Sequence, residues 1–325
     1  MSAINNPDVI KYMGIFHSYA LKRMQKMDSQ NGRFAHYTSA ATALSIIERG
    51  QLWLRNALLM NDFSEVEHGD RCLRTCWNDA ELGGKLRTTM EFFDPQMPDR
   101  MAKKLNDLSR LRRVESYILS ISEHDNVDTN EDRYGRLSMW RAYGGDTNVA
   151  FVFNRHPFFS DSQAIKVFST PVLYADANRF SEEFLAFAEQ LSANKEYLQA
   201  WPIERLESAI NQTFLAAILS TKHPGFCEER EWRLIYSPFE HYSERLVPTT
   251  NIIQGVPQKI YLLDLKNYPE EGLTGASLPE LLEEIIIGPT QNPYPIYIAL
   301  SEALEAAGVE DARSKVRISD IPLRR

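Results

Sequence analysis

The chain has 325 residues, and its 36 Lys and Arg against 44 Asp and Glu give a net charge of −8, which argues against broad coating of nucleic acid. A hydrophobic fraction of 43% and a charged fraction of 25% are ordinary for a globular protein and exclude a collagen, a coiled coil or a disordered chain. Three cysteines do not make a secreted disulfide framework, and no apolar run is long enough to span a membrane, so we expect a cytoplasmic protein without membrane contact.

The first 30 residues form a helical lead-in, with apolar residues on a loose stripe. A strand at 34–38 then leads into a helix at 40–49, which Thr38 or Ser39 can cap and Gly50 can end. A strand at 51–55 follows, and helical spacing predicts a first helical insertion at about 63–113. Further strands are predicted at 115–122, 148–154, 165–176, 229–237, 259–265 and 282–288.

A second helical insertion is predicted at about 177–222, and a last helix at 296–307. Residues 123–136 are polar without an apolar period, which indicates a loop. Because strands are spread along the whole chain, we expect one α+β domain over residues 31–325. Its central sheet should be mixed or antiparallel, with about six to eight strands.

His36, Tyr37 and Thr38 form the first candidate site, on the strand that precedes the capped helix. An imidazole followed by a hydroxyl and a helix N-terminus suits a ribose or a phosphate group. The alternative interpretation is a buried histidine with a satisfied hydrogen bond and a threonine cap.

Asn61 and Asp62 precede the first helical insertion, and both are strong N-cap residue types. They are either a structural cap or part of the wall of a cleft. His68, Cys72 and Cys76 recur four residues apart in the same insertion, but no second pair of ligands accompanies them, so we expect no metal.

Trp140 and Tyr143 lie one helical turn apart, just before a Gly-Gly turn. Their rings either stack a base or a nicotinamide ring, or anchor the core.

The segment 228–233, Glu-Glu-Arg-Glu-Trp-Arg, is the richest in chemistry. On a strand, Glu229, Glu231 and Arg233 would share one face. They form either a solvated edge strand with a salt-bridge ladder, or a carboxylate held by an arginine inside a cleft. In the second case the arginine keeps the carboxylate charged.

These segments, in this order, resemble the bacterial family catalogued as domain of unknown function 2971, over roughly residues 33–290. The resemblance is carried by FAHYTSAATALSIIERGQLWLRNALLMNDFSEVEHG, YILSISE, SMWRAYGGDTNVAFVFN, VLYAD, GFCEEREWRLIY and EEIIIGP. The family has no agreed activity, but the resemblance favours one shared site for these blocks.

The opening block is also more distantly similar to the first strand of ADP-ribosyltransferases, which implies a fold of that kind and NAD as co-substrate. Carried over to this chain, His36 would bind the ribose and the backbone near Tyr37 would meet the carboxamide. Tyr143 or Trp140 would stack on the nicotinamide, and Glu231, or failing it Glu229, would be the catalytic carboxylate.

Three functions are compatible with these residues. The first is an NAD-consuming enzyme, an ADP-ribosyltransferase or NAD glycohydrolase, acting as a bacterial defence or toxin effector on a protein or nucleic acid. The second is a nuclease or nucleotide-binding effector in which Lys222, Arg230, Arg233 and the basic stretch 100–113 hold phosphates. The third is a non-enzymatic sensor that binds a partner encoded in the same defence operon.

Overall fold

The computed structural model describes residues 3–59, 63–125, 129–143, 145–253 and 255–322. Helices and strands occur in consecutive groups along this part of the chain. The helices are α1 Pro7–Phe16, α2 Ser18–Ser29, α3 Ala40–Arg49, α4 Phe63–Asn78, α5 Leu82–Phe93, α6 Met97–Val114, α7 Asn130–Tyr134, α8 Leu137–Tyr143, α9 Ala177–Ala193, α10 Lys195–Leu198, α11 Ile203–Leu219, α12 Leu278–Leu281 and α13 Pro293–Ala306. The strands are β1 Arg33–Ser39, β2 Gln51–Asn56, β3 Tyr117–His124, β4 Thr147–Phe153, β5 Phe168–Pro171, β6 Leu173–Tyr174, β7 Thr221–Lys222, β8 Glu231–Tyr236, β9 Val247–Ile253, β10 Val256–Asp264, β11 Leu282–Thr290 and β12 Val316–Ile318. None of the described helices combines the length and apolarity needed to cross a bilayer.

Ten of these strands form one mixed sheet, which confirms the predicted α+β class. Eight of them follow the order β12-β11-β4-β1-β3-β2-β10-β9, while β8 pairs with β3 and β5. The β11–β12 pair is parallel and the other pairs of this sheet are antiparallel. The sheet is larger than the six to eight strands expected, since β9 and β12 were not predicted. A separate parallel pair joins β6 to β7.

The connection from β1 to β2 follows the local sequence signals. Ser39 caps α3 by accepting a hydrogen bond from the amide of Thr42 at 3.2 Å. Gly50 ends the helix with φ +60°, a left-handed conformation that glycine adopts without a steric cost. The predicted strand, capped helix and strand are therefore confirmed, with Ser39 as the cap.

The two faces of the sheet carry different cores. On the first, here called the α3 face, Phe34, Phe151 and Trp232 pack with residues of α2, α3 and α13. On the second, the α11 face, Ile118 and Ile235 pack with residues of α4, α5, α6, α9 and α11. The α8 helix covers the part of the α11 face that lies over β1 and β4.

Strand β3 has three strand neighbours and a gap along one edge. It pairs with β8 along Tyr117–Ser122, while β2 meets only residues 117–118 and β1 only residues 122–124 on the opposite edge. On that edge, the backbone groups of Leu119, Ser120 and Ile121 therefore face the space between β1 and β2, with no described strand paired to them. Ser120 contacts two of the predicted site residues, His36 through its carbonyl oxygen and Glu231 through its hydroxyl.

Two boundaries differ from the sequence prediction in ways that affect the site. The predicted strand 229–237 begins only at Glu231, because residues Pro224–Glu229 form a 3-10 helix and Arg230 has φ +46°. The predicted loop 123–136 contains α7, which Thr129 caps by accepting a hydrogen bond from the amide of Asp132.

Candidate functional site

Glu231 lies at the start of β8, on the α11 face, and its side chain is 7% exposed. Its Oε1 accepts hydrogen bonds from Ser120 Oγ at 2.6 Å and from Arg233 Nε at 2.8 Å. Its Oε2 accepts from Lys222 Nζ and from Arg233 Nη2, both at 3.1 Å. Burial alone would raise the pKa of Glu231, but the charges of Arg233 and Lys222 outweigh it and lower the pKa to about 2.

The two cations are as buried as the carboxylate. Arg233, two residues further along β8, also donates to the carbonyl of Leu219 at the end of α11. Lys222 is 3% exposed and is held by the pairing of β7 with β6, which places it opposite Tyr174. The Tyr174 hydroxyl accepts a hydrogen bond from the Glu231 amide at 2.7 Å, and burial followed by the Glu231 charge raises its pKa.

Glu229 extends this arrangement towards the surface. Its Oε2 accepts from Lys222 Nζ at 2.5 Å, and its Oε1 accepts from the Tyr143 hydroxyl at 2.9 Å. Its side chain is 17% exposed, against 7% for Glu231. Of the two glutamates, Glu229 is therefore the one nearer to solvent. Lys222, Glu229, Glu231 and Arg233 together are called the charge cluster below.

Two exposed aromatic rings border the charge cluster. Tyr143, at the end of α8, is 37% exposed and bonds to Glu229 through its hydroxyl. Phe226, in the 3-10 helix, is 38% exposed, and its ring centroid lies 5.0 Å from Lys222 Nζ. Phe226 was not among the site residues predicted from the sequence. The one signal that could have indicated it is its position as an aromatic residue in a polar segment close to Glu229.

His36 lies on the other face of the sheet. Ala35 is paired with Ser122, which is paired with Glu231, and directly paired residues share a face. His36, one residue on from Ala35, is paired with Phe151 and leaves β1 on the α3 face. The predicted pocket walled by the side chains of both His36 and Glu231 is therefore not formed.

The contact of His36 with this region is through the backbone of Ser120. Its Nδ1 lies 3.1 Å from the Ser120 carbonyl oxygen, in the gap along the edge of β3. Burial lowers the pKa of His36, and the bond to Ser120 opposes this only in part. The half-buried imidazole thus bonds to a backbone group of β3 that has no partner among the described strands on that edge. This agrees with the alternative interpretation of His36 as a histidine with a satisfied hydrogen bond.

Three further predicted residues belong to the core. Trp140 is 0% exposed, and its Nε1 donates to the Tyr134 carbonyl at 2.9 Å. Tyr37 is 7% exposed, its ring lies edge-on to Trp140 with centroids 4.7 Å apart, and Thr38 is 9% exposed beside it on β1. Trp140 offers no ring face to a ligand, so Tyr143 alone of the two predicted stacking residues is accessible.

Asn61 and Asp62 lie outside the described residues, so the structure does not bear on their predicted place in a cleft.

Residues 139–234 match the model of the family described as protein of unknown function (DUF2971). The resemblance to this family is confirmed over that segment. The matched segment contains the whole charge cluster and both exposed rings. No curated protein and no solved structure matches the chain. The more distant similarity to ADP-ribosyltransferases stays a prediction.

A second group of charges lies at the end of β3, and it is the place among the described residues where three metal-ligand types converge. Ligand atoms of His124, Asp132 and Glu284 lie within 4.8 Å of one another. Arg33 bonds to Asp132 at 2.5 Å, and Arg317 bonds to Glu284 at 2.5 Å. Because these guanidinium groups already neutralise the carboxylates, the arrangement favours an ion-pair network over a cation site.

Proposed function

We propose that the chain is an NAD-consuming enzyme of the ADP-ribosyltransferase or NAD glycohydrolase type. In this proposal the charge cluster is its active centre, and Glu229, rather than Glu231, meets the substrate. The observation that carries the proposal is a carboxylate at the outer end of a buried charge cluster, with the two exposed rings of Tyr143 and Phe226 beside it.

Burial of these charges is better explained by function than by stability. Each buried ion loses several kcal/mol of hydration, and well-packed apolar residues are often no less stable than a buried ion pair. Lys222, Glu231 and Arg233 are all less than 9% exposed, and the other four residues of β8, the strand of Glu231 and Arg233, are Trp232, Leu234, Ile235 and Tyr236. Groups with strongly shifted pKa values, such as Glu231, are concentrated at functional sites.

The outer end of the cluster suits the cleavage of a nicotinamide–ribose bond. The nicotinamide ring of NAD is a cation, which aromatic faces and carboxylates both attract. Tyr143 and Phe226 would hold this ring next to Glu229. When the bond between the ribose C1′ and the ring nitrogen breaks, its electron pair goes to the nitrogen and leaves an oxocarbenium-like centre, which Glu229 would stabilise.

Each remaining group then has a role in positioning Glu229. Glu231 holds the Lys222 ammonium, and Lys222 fixes Glu229 Oε2 at 2.5 Å. The other oxygen of Glu229 would turn to the attacking hydroxyl and take its proton. That hydroxyl is water in a glycohydrolase, and belongs to a protein or nucleic acid acceptor in a transferase.

The test is release of nicotinamide from NAD by the full chain, by Glu229→Gln and by Glu228→Gln. Glu228 is the matched control, because it is exposed in the same 3-10 helix. Loss of one transition-state contact of this kind lowers kcat by about 100- to 1,000-fold. We expect such a loss for Glu229→Gln and less than a twofold change for Glu228→Gln.

Equal turnover by both variants would refute the role of Glu229. If the wild-type chain released no nicotinamide, with or without protein and nucleic acid acceptors, the proposal as a whole would fail.

The described basic residues do not favour the nuclease alternative. Arg100 and Lys104 both bond to Glu207 at 2.6 Å, and Arg230 bonds to Asp125 at 2.6 Å. To bind a phosphate, each of these side chains would first have to break its ion pair with a carboxylate. No observation on the described residues therefore raises this function above NAD cleavage.

A further inference from the structure

Strand β9 lies at one end of the ten-stranded sheet, and among the described strands it pairs only with β10. It has seven residues, whereas the other strands at the border of this sheet, β5 and β12, have four and three. No residue of β9 is charged. Edge strands are commonly kept short or given charges, because their free backbone groups can pair with another chain. A long uncharged edge therefore indicates a place where a further strand can be added.

Two observations indicate which backbone groups of β9 face away from β10. The amide of Ile252 donates to the Oδ1 of its neighbour Asn251 at 2.8 Å, so its partner comes from its own strand. Pro248 has no amide hydrogen, and a proline within a sheet is tolerated where its nitrogen faces outwards. Because the direction alternates along a strand, the backbone groups of Thr250 face outwards together with those of Pro248 and Ile252.

Large apolar side chains are exposed on and around β9. The segment that precedes the strand is held against the hairpin, since the Ser243 amide donates to the Tyr236 hydroxyl and the Tyr236 ring lies 4.8 Å from that of Tyr261 on β10. A group of exposed apolar residues, unlike a single one, is typical of an interaction surface. Five of the thirteen large apolar residues exposed in the described part of the chain lie here: Phe239, Tyr242, Val247, Ile252 and Val256.

The sequence of β9 is complementary to itself. From residue 247 it reads Val-Pro-Thr-Thr-Asn-Ile-Ile, which is two apolar, three polar and two apolar residues. If two copies pair antiparallel about Thr250, residue 247 lies opposite 253, 248 opposite 252, and 249 opposite 251. Each apolar residue then meets an apolar one and each polar residue a polar one, and Thr–Thr pairs are favourable across strands. The same pairing has two-fold symmetry, so it closes as a dimer.

We propose that β9 pairs antiparallel with β9 of a second copy of this chain, centred on Thr250, and joins the two sheets into one. The two Thr250 residues exchange backbone hydrogen bonds. Each Pro248 carbonyl accepts from the Ile252 amide of the other copy, which leaves its bond to Asn251. The surface contains no residue of the charge cluster, so the proposal is independent of NAD cleavage.

Sedimentation velocity of the full chain tests the association, at about 0.15 M salt to screen the net charge of −8. One strand pair is a small interface, so we expect a monomer at about 1 µM and a dimer at about 100 µM. Thr250→Pro removes the central outward amide, and Ile252→Lys puts a charge among apolar residues of the interface. Both variants should remain monomeric at the higher concentration.

Ile298→Lys is the matched control for these variants. Ile298 is 55% exposed on α13, against 68% for Ile252, so the same substitution is made on a similar surface away from β9. It should dimerise like the wild-type chain. Circular dichroism establishes that each variant is folded, and Ile252→Lys decides alone if Thr250→Pro does not fold.

Cysteine cross-linking tests the register, in a chain with Cys227→Ser because Cys227 is the exposed native cysteine. Opposite residues of a hydrogen-bonded antiparallel pair have Cα atoms about 5.5 Å apart, so Thr250→Cys should form a covalent dimer under mild oxidation. The two cysteines of Thr249→Cys would be displaced by two residues along the strands and lie about 8 Å apart, which is too far for a disulfide.

The proposal is overturned if the wild-type chain is monomeric at the higher concentration. It is also overturned if a folded Ile252→Lys chain dimerises like Ile298→Lys, because the dimer would then use another surface. A covalent dimer with Thr249→Cys but not with Thr250→Cys would overturn the register about Thr250.

Discussion

Replacing Glu231 by Gln removes the negative charge that lies between two buried cations, Lys222 and Arg233. The pKa of Glu231 is lowered from 4.5 to about 2 in the folded chain, and a shift of this size corresponds to about 3 kcal/mol of stability at pH 7. Breaking a buried pair by removing one partner costs a similar amount, roughly 3–5 kcal/mol. We therefore expect Glu231→Gln to lower the free energy of unfolding at pH 7 by about 3 kcal/mol.

The stability difference between the wild-type chain and Glu231→Gln should become smaller as the pH falls. Because the folded pKa is the lower one, the charged form contributes its full stability above pH 4.5 and loses it as the pH falls towards 2. The difference between the wild-type chain and Glu231→Gln should shrink by about 2 kcal/mol between pH 7 and pH 3. Contributions from other carboxyl groups are common to both chains and cancel in this difference.

The measurement is urea unfolding followed by circular dichroism at pH 7, 5, 4 and 3. Glu228→Gln is the control, since its side chain is exposed, and it should follow the wild-type chain within about 0.5 kcal/mol. A Glu231→Gln chain that stays within 1 kcal/mol of the wild type at pH 7, with a difference independent of pH, would refute the reasoning.

Three further predictions concern the rings and the two faces of the sheet. Tyr143→Ala should raise the KM for NAD about tenfold relative to the wild-type chain, because it removes a stacking surface, whereas Tyr143→Phe should leave KM within about threefold. Equal KM values for the two variants would argue against stacking. His36→Gln should change nicotinamide release by less than twofold, because the imidazole leaves the opposite face from the charge cluster, and a 100-fold loss would contradict that assignment. Gly288→Ala would place a Cβ 2.8 Å from the Trp140 ring and should lower the free energy of unfolding by about 1–3 kcal/mol, as judged from urea midpoints. Gly84→Ala, with nothing within 4 Å, is its control and should be neutral or stabilising, so equal losses in both would refute the steric argument.

Local signals in the sequence were sufficient for the elements around β1 and for part of β8. The Ser39 cap and Gly50 end α3 where short-range chemistry predicts, because both signals act within one helical turn. Alternation on β8 correctly placed Glu231 and Arg233 on one face, where they bond directly. It failed for Glu229, since Arg230 adopts φ +46°, which an arginine rarely does and no local pattern announces.

The arrangement of the site could not be predicted from local signals, because it depends on long-range pairing. The face from which His36 points is fixed by β3 and β4, strands more than 80 residues away in the sequence. Residues on both faces of β1 are buried, so its sequence shows no polar side that would reveal the orientation. Trp140 was ambiguous for a different reason, because an aromatic residue beside a glycine turn fits a core and a cleft equally well.

The most direct measurement of the central claim is a crystal structure of the chain with an NAD analogue whose glycosidic bond resists cleavage. The account predicts the nicotinamide ring against Tyr143 and Phe226, with the ribose C1′ beside the Glu229 carboxylate. The account would be contradicted by an analogue bound on the α3 face near His36. It would also be contradicted if the analogue did not bind at the highest concentration that can be reached.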